Sequence, residues 1–427
     1  MSNVIYLHGQ PTPVTRFLRV TEHRRLDQLL EADKLPYERF VVEAGYLREQ
    51  RVLIDALRQR GHQLVLDTNI AELSAVAKFA GHVKHAPWAN PDGILTEEHL
   101  ANEAGAAIMH AIARLAVANG FARVHAPSHF VQSASDAWLP IDVENCVALR
   151  RALDTEGGKD IAIDYPLMIS NTLLNDGAQR RDLIVKLGSL PIDSIWSRVS
   201  GFGSDATAAG LKKYISAVRD FHSLGKPIVA DGVGGLSALA IVAFGAACGL
   251  SHGVAAKERF DASSWYKPPK PGSGGGGSGH FVLLPGIDRL LTREDAEGVI
   301  NASGGRRLAS CNDRMCCPRG FEDTIKDAKG HFLRQRAMQC DAISAVPEPV
   351  RPGHFLDKDL TEADRRARLL AKLKLSDKLS SLVVENAKRV DRFRDVLGNL
   401  EKTSASATRS PGFPSAAANR EAGKDRR

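Results

Sequence analysis

Four residues near the C-terminal third have types and spacing that suit a metal. Cys311, Cys316 and Cys317 are followed fourteen positions later by His331, three thiolates and one imidazole. That donor set is the one found in closed tetrahedral structural zinc sites, with Cys340 as a substitute ligand and unpaired buried thiols as the alternative. Cys146 and Cys248 sit in apolar stretches and read as core. A second set of polar residues follows short apolar runs: Glu43, Asp67, His125 with His129, Asp164, Arg198, Asp231, His252 and Asp288. Each alone is readily a helix N-cap, but together they suit a site built where strands end. Between them, ADGVGGLSALA (230–240) is a Gly-rich turn whose backbone N–H groups can approach a flat or anionic ligand.

The elements that must position these residues read as a regular series. Eight short β-rich runs stand at 39–45, 63–69, 123–130, 160–166, 194–203, 227–235, 249–254 and 281–288. Most are separated by amphipathic helical stretches such as REQRVLIDALRQRG and AAGLKKYISAVRDFHSLG. Eight strand–helix units predict an α/β chain folded as a (β/α)8 TIM barrel, with a small zinc-binding subdomain and a C-terminal helical extension. An open doubly wound sheet is the alternative; no Gly-rich dinucleotide turn follows the first run. The expected boundaries are a barrel over 1–300, a zinc-binding subdomain over 301–345, a basic helical extension over 346–402 and a disordered basic tail over 403–427. PPKPGSGGGGSG (268–279) reads as a flexible loop before the last strand.

Composition narrows the function classes. With 427 residues and 43% hydrophobic content the chain can bury a large core, which excludes wholesale disorder. It has no apolar run of membrane-spanning length, and the start MSNVIYLHGQ lacks a signal-peptide pattern. Six cysteines in this length are no disulfide scaffold, so a reducing, cytoplasmic setting is expected. The net charge of +7 is confined to residues 351–427, which hold 18 Lys and Arg against 11 Asp and Glu. A polyanion contact at that end is one reading, and inert solvated charge is the other.

Taken together, the strand-end acids, the Gly-Gly turn and the cysteine cluster resemble the tRNA-guanine transglycosylase family and its DNA-acting relatives, which insert 7-deazaguanine bases. The likeness spans roughly 63–331 and rests on short motifs. It implies a zinc-containing barrel that exchanges a guanine in tRNA or DNA through a covalent sugar intermediate. LVLDTNIAEL resembles the family segment with a catalytic aspartate, which points to Asp67 as nucleophile or base. DIAIDYP is similar to the strand whose aspartate reads the guanine edge, implying that role for Asp164. SRVSGFG resembles the next recognition loop, with Arg198 within it and Ser200 in place of the family's glutamine. GVGGLSALA resembles the family's Gly-Gly-Leu turn, so Gly234, Gly235 and Leu236 would meet the base through their backbone. Cys311, Cys316, Cys317 and His331 match the zinc ligands in type and order, with altered spacing.

One departure concerns the nucleophile. The family's aspartate falls where this chain has Ser251, His252 and Gly253. The resemblance then leaves Asp67 or Asp231 to attack the sugar, with His252 near the sugar or phosphate. The alternative is a catalytically silent barrel that binds nucleic acid or a partner subunit, as a homodimer or beside an active chain. A third reading, a metal-dependent hydrolase using His125, His129, Asp164 and His252, lacks any HxH or HExxH spacing.

Overall fold

A computed structural model describes residues 12–255, 258–268, 280–403 and 407–413. Eight parallel strands close into a barrel: β1 (Thr15–Arg19), β2 (Arg39–Glu43), β3 (Gln63–Asp67), β4 (Arg123–His125), β5 (Ala162–Ser170), β6 (Ser194–Ser200), β7 (Ile228–Asp231) and β8 (Gly249–His252). β8 returns to pair with β1, Thr15 opposite Gly249 and Leu18 opposite His252. The (β/α)8 expectation therefore holds, but its strand inventory shifts by one at each end. The first strand, TRFLR, was not among the expected runs. The run at 281–288 is not a barrel strand: Phe281–Leu283 pairs antiparallel with Leu290–Thr292 in a separate hairpin.

Alternation along the strands explains both the closed core and the site above it. Phe17, Val41, Val65, Trp196 and Val229 point inward and fill the middle of the barrel. Two residues further along their strands stand Arg19, Glu43, Asp67, Arg198 and Asp231, which form the polar layer at the C-terminal mouth. The outward positions join a core shared with the surrounding helices.

Residues beyond the barrel divide differently from the expected boundaries. The hairpin and the helix Arg293–Asn301 build a second core with Leu370, Leu379 and Val383 from the C-terminal helices. Most of 282–300 thus packs in this second core, while Leu283 joins the main core and Leu290 packs against it. The extension is equally no detachable tail, since Phe355, Leu360, Phe393 and Leu397 are fully buried in the main core. Much of its charge is spent internally: Arg365 and Arg366 pair with Glu362, and Arg368 and Arg394 with Asp364.

Part of the expected disordered tail is ordered. Residues 407–413 run beneath the barrel, where Ser410 Oγ accepts from the Ile228 amide at 2.9 Å and the Phe413 ring lies 5.8 Å from Phe17. Arg123 stacks on Phe413 at 5.2 Å, so the ring plugs the N-terminal end. The rest of the tail and the loop at 269–279 lie outside the described residues. Phe413→Ala is expected to cost about 1–2 kcal/mol in denaturant unfolding, less than a full core deletion because the ring is only part-buried.

Candidate functional site at the barrel mouth

The mouth is organised by a residue from the strand the sequence did not reveal. Arg19, at the end of β1, donates from Nη1 to Asp67 Oδ2 at 2.6 Å and from Nη2 and Nε to both oxygens of Asp231, at 2.6 and 3.1 Å. Arg198 Nε adds a second contact to Asp231 at 3.1 Å. Burial alone would raise the Asp231 carboxyl, but the Arg19 and Arg198 guanidiniums more than reverse this and hold it at about 2. Asp67 is likewise kept well below the usual carboxylate range, burial opposing and Arg19 prevailing.

The two carboxylates are not equivalent. Asp231 is 1% exposed and held by both guanidiniums. Asp67 lines a small cavity of about 10 Å³ together with Glu72, His125, Ser128 and Arg198. In that cavity His125 stands with Nδ1 3.5 Å from Asp67 Oδ2, longer than a hydrogen bond. His125 Nε2 and Ser128 Oγ, both buried, make no hydrogen bond. Buried polar atoms left unpaired are costly, and their convergence beside an ionised carboxylate marks a place prepared for a polar ligand.

Removing the central cation should show how the layer is held. Arg19→Met is expected to destabilise the fold by about 3–5 kcal/mol, because it strands buried carboxylates. The sign with pH follows from the depressed carboxyls. The stabilisation is complete above about pH 4, the ordinary aspartate value, and is lost as the pH falls towards the folded value near 2. Acid unfolding of Arg19→Met beside the parent chain checks this: the stability gap should close on acidification.

Other expected site residues are placed elsewhere. His252 points outward from β8: Nδ1 donates to the Gly253 carbonyl at 2.8 Å and Nε2 accepts from Tyr37 Oη at 3.1 Å. Burial pushes its imidazole down, and it packs edge-on against Tyr37 and Phe332 as a neutral core histidine. The inward place at that strand end belongs to Ser251. Asp164, expected to read a base edge, lies instead at the opposite, N-terminal end. There Arg123 and Ser194, the first residues of β4 and β6, bond both its oxygens. Such a pair belongs to the face where conserved polarity serves stability. His129 is also satisfied, between Asp142 at 2.6 Å and Ser74 at 2.9 Å. His125, His129, Asp164 and His252 therefore do not converge on one point.

The Gly-Gly-Leu turn does reach the mouth side, but its space is taken by the chain itself. A Cβ on Gly234 would fall 1.8 Å from Glu258 Oε1, and one on Gly235, at φ +63°, would fall 2.3 Å from Asp288 Oδ1. Glu258 is buried in a bidentate pair with Arg336 at 2.7 and 2.8 Å. Asp288 accepts from the Leu236 amide at 3.0 Å, taking the place at the helix N-terminus expected for a ligand. Ser200 accepts from the Ala262 amide at 2.9 Å and so ties down the segment after β8.

The cysteine cluster is the sharpest match to expectation. Ligand atoms of Cys311, Cys316, Cys317 and His331 all lie within 4.8 Å of one another, a group able to hold a metal ion. Cys316 and Cys317 Sγ are 3.7 Å apart and each is 3.4 Å from His331 Nδ1. A tetrahedron with zinc–sulfur bonds of about 2.3 Å has edges of about 3.8 Å, so the spacing fits. His331 Nε2 faces the Leu283 carbonyl at 3.0 Å. That contact orients the ring so that Nδ1 is turned to the thiols. Leu283 belongs to the hairpin that was expected to be a barrel strand, so the hairpin's place is to support this centre.

No helix among the described residues is long and apolar enough to cross a membrane. No protein-family model matches the sequence. No curated protein matches it either. Solved structures similar to part of it include type I 3-dehydroquinate dehydratase from Clostridium difficile, 8% identical over 60% of this chain and 90% of that one, at a TM-score of 0.36. An endo-1,4-beta-xylanase from Penicillium canescens is 11% identical over 60% and 85%, at 0.37. The GH26 domain of a Prevotella bryantii endo-beta-mannanase/endo-beta-glucanase is 10% identical over 60% and 88%, at 0.38. Likenesses this distant carry no argument about chemistry; the chain's own strand register establishes its (β/α)8 barrel.

Proposed function

We propose that this chain is a transglycosylase-type enzyme that exchanges a guanine in tRNA or DNA for a 7-deazaguanine base. The observation that carries the reading is Asp67, an ionised carboxylate at the barrel mouth opening on a cavity with unpartnered buried donors. A carboxylate suits attack on the anomeric carbon of a sugar, where charge resembling an oxocarbenium ion develops. Arg19 holds Asp67 ionised and aimed, and Arg198 shares the mouth. The target base leaves its stack to enter the mouth. Zinc, bound by Cys311, Cys316, Cys317 and His331, serves as a structural centre that braces the second core against the barrel.

The polymer's phosphates need cations outside the mouth. Lys212 and Lys213 line an open groove with Val396 and Asn399 near the end of the long helix Asp377–Thr403, where Arg180 is already paired with Asp220 at 2.7 Å. Truncating the extension would remove buried core, so charge reversal is the cleaner probe. Lys212→Glu with Lys213→Glu is expected to weaken binding of tRNA or duplex DNA and to lower the slope of log affinity against log salt by about 2. Filter binding at several salt concentrations reads this.

The deciding experiment offers bulk tRNA and duplex DNA in parallel to the purified chain with labelled guanine or a 7-deazaguanine. Label in one polymer supports the enzyme and names its substrate. A second reading is favoured by Ser251 at the end of β8 and by Glu258 filling the space beside the Gly-Gly turn. In it, the chain is a silent barrel that binds nucleic acid or a partner subunit. A folded, zinc-loaded chain that incorporates no label but binds polymer supports that reading.

A further inference from the structure

The cavity at the mouth holds a second carboxyl that the reading above does not use. Glu72 lies in the four-residue helix Ile70–Leu73, one turn beyond Asp67, and lines the same cavity. The helix is held firmly at both ends. Asn69, at φ +54°, accepts from the Gly45 amide through Oδ1 at 3.1 Å, and Ser74 is locked by the His129–Asp142 relay. Two carboxyl groups in one cavity, with His125 Nε2 and Ser128 Oγ buried and unpartnered beside them, provide more than a nucleophile needs.

From this arrangement we infer that Glu72 is a catalytic acid–base residue, giving a proton to the departing base and taking one from the incoming base. The inference rests on the base-exchange reading. In the first half-reaction an Asp67 oxygen forms a bond to C1′ of the sugar, and the bond from C1′ to the guanine nitrogen breaks. The electron pair stays on the guanine, which receives the proton of the neutral Glu72 carboxyl. In the second, the ring nitrogen of the incoming base bonds to C1′ and the Asp67 ester bond breaks, returning its pair to the carboxylate. The proton on that nitrogen passes to Glu72, restoring the starting state. Each cycle exchanges one base and balances in protons.

The electrostatics of the cavity suit this alternation. Burial, and after it the Asp67 charge, push the Glu72 carboxyl up to about 6. Arg198 opposes and Glu43 adds slightly to the rise; Tyr266, from the segment after β8, also faces it. When Asp67 becomes an ester its charge vanishes, and the larger of the two charges raising Glu72 vanishes with it. Glu72 then ionises more readily, at the stage where a base is required.

The test measures steady-state exchange against pH with the zinc-loaded full chain, labelled guanine and whichever polymer the wild type accepts. In the wild type, kcat/KM for the polymer should fall above about pH 6, as the acid form is lost. Glu72→Gln is expected to slow exchange about a hundredfold to ten-thousandfold and to abolish that limb. Glu72→Asp, which withdraws the carboxyl by one methylene, should slow exchange at least about tenfold while keeping the limb, and carries the test if Glu72→Gln does not fold. A Glu72→Gln or Glu72→Asp protein with the wild-type rate overturns the inference and leaves base exchange standing. A wild type that exchanges nothing overturns both.

Discussion

Asp67→Asn is expected to abolish the proposed base exchange, by about three orders of magnitude or more, without unfolding the protein. The substitution keeps the side chain's volume and one oxygen, so the Asn69 amide keeps its acceptor. Arg19 still has both oxygens of Asp231. What is lost is the negative oxygen that would bond the sugar, and an amide cannot supply it. Single-turnover label transfer, with thermal unfolding and zinc content measured on the same sample, separates chemistry from stability. A fully active Asp67→Asn protein removes Asp67 from the mechanism. The same substitution of Asp231 should instead appear mainly as lost stability, because Asp231 is 1% exposed and serves as the shared counter-ion of Arg19 and Arg198.

That contrast bears on what a sequence can disclose about such a site. Asp67, Asp231 and Arg198 were legible because each follows an apolar run at a strand end. Arg19 was not, since its strand alternates Thr15, Phe17 and Arg19 inward with Arg16 between and reads as a charged segment. Its polarity is required by the site: a cation must stand between two carboxylates, and that requirement erased the apolar pattern of the strand. Asp164 and His252 show the converse error. Both are polar residues in genuine strands, but position along the strand decides which end a side chain serves, and parity decides which face. Asp164 is early in β5, and His252 has outward parity. Neither property is visible without the register. Glu72 gave one faint signal, an acid five residues after Asp67 in the same quoted segment. In sequence alone it is indistinguishable from an acid in the first turn of a helix.

The cysteine cluster was legible for the opposite reason, since thiolates and imidazole at short range have few other uses. Removal of the zinc proposed for it carries the largest expected effect on stability. Structural zinc contributes on the order of 10 kcal/mol where ligands are otherwise unordered. Here the ligands are partly preorganised by the Leu283 carbonyl and by Thr324 Oγ1, which donates to Cys317 Sγ at 3.5 Å, so a smaller loss is expected, on the order of 5 kcal/mol. It should be local. The segment carrying the three cysteines adjoins the core of Val282, Leu291, Val299 and Leu379, and the barrel has its own core. Cys311→Ser is therefore expected to lose about one zinc per chain and to open the segment from the hairpin to the cysteines, 284–326, to proteolysis at temperatures where the barrel, with the helix Ala328–Ser344 in its core, remains protected. His125→Ala should keep its zinc, because His125 lies at the mouth and not among the ligands. Retention of metal by Cys311→Ser together with its loss from His125→Ala would move the metal to the mouth and revive a hydrolytic reading. Loss from Cys311→Ser alone leaves the mouth as the place for carboxylate chemistry, with the metal bracing the hairpin and helices beside it.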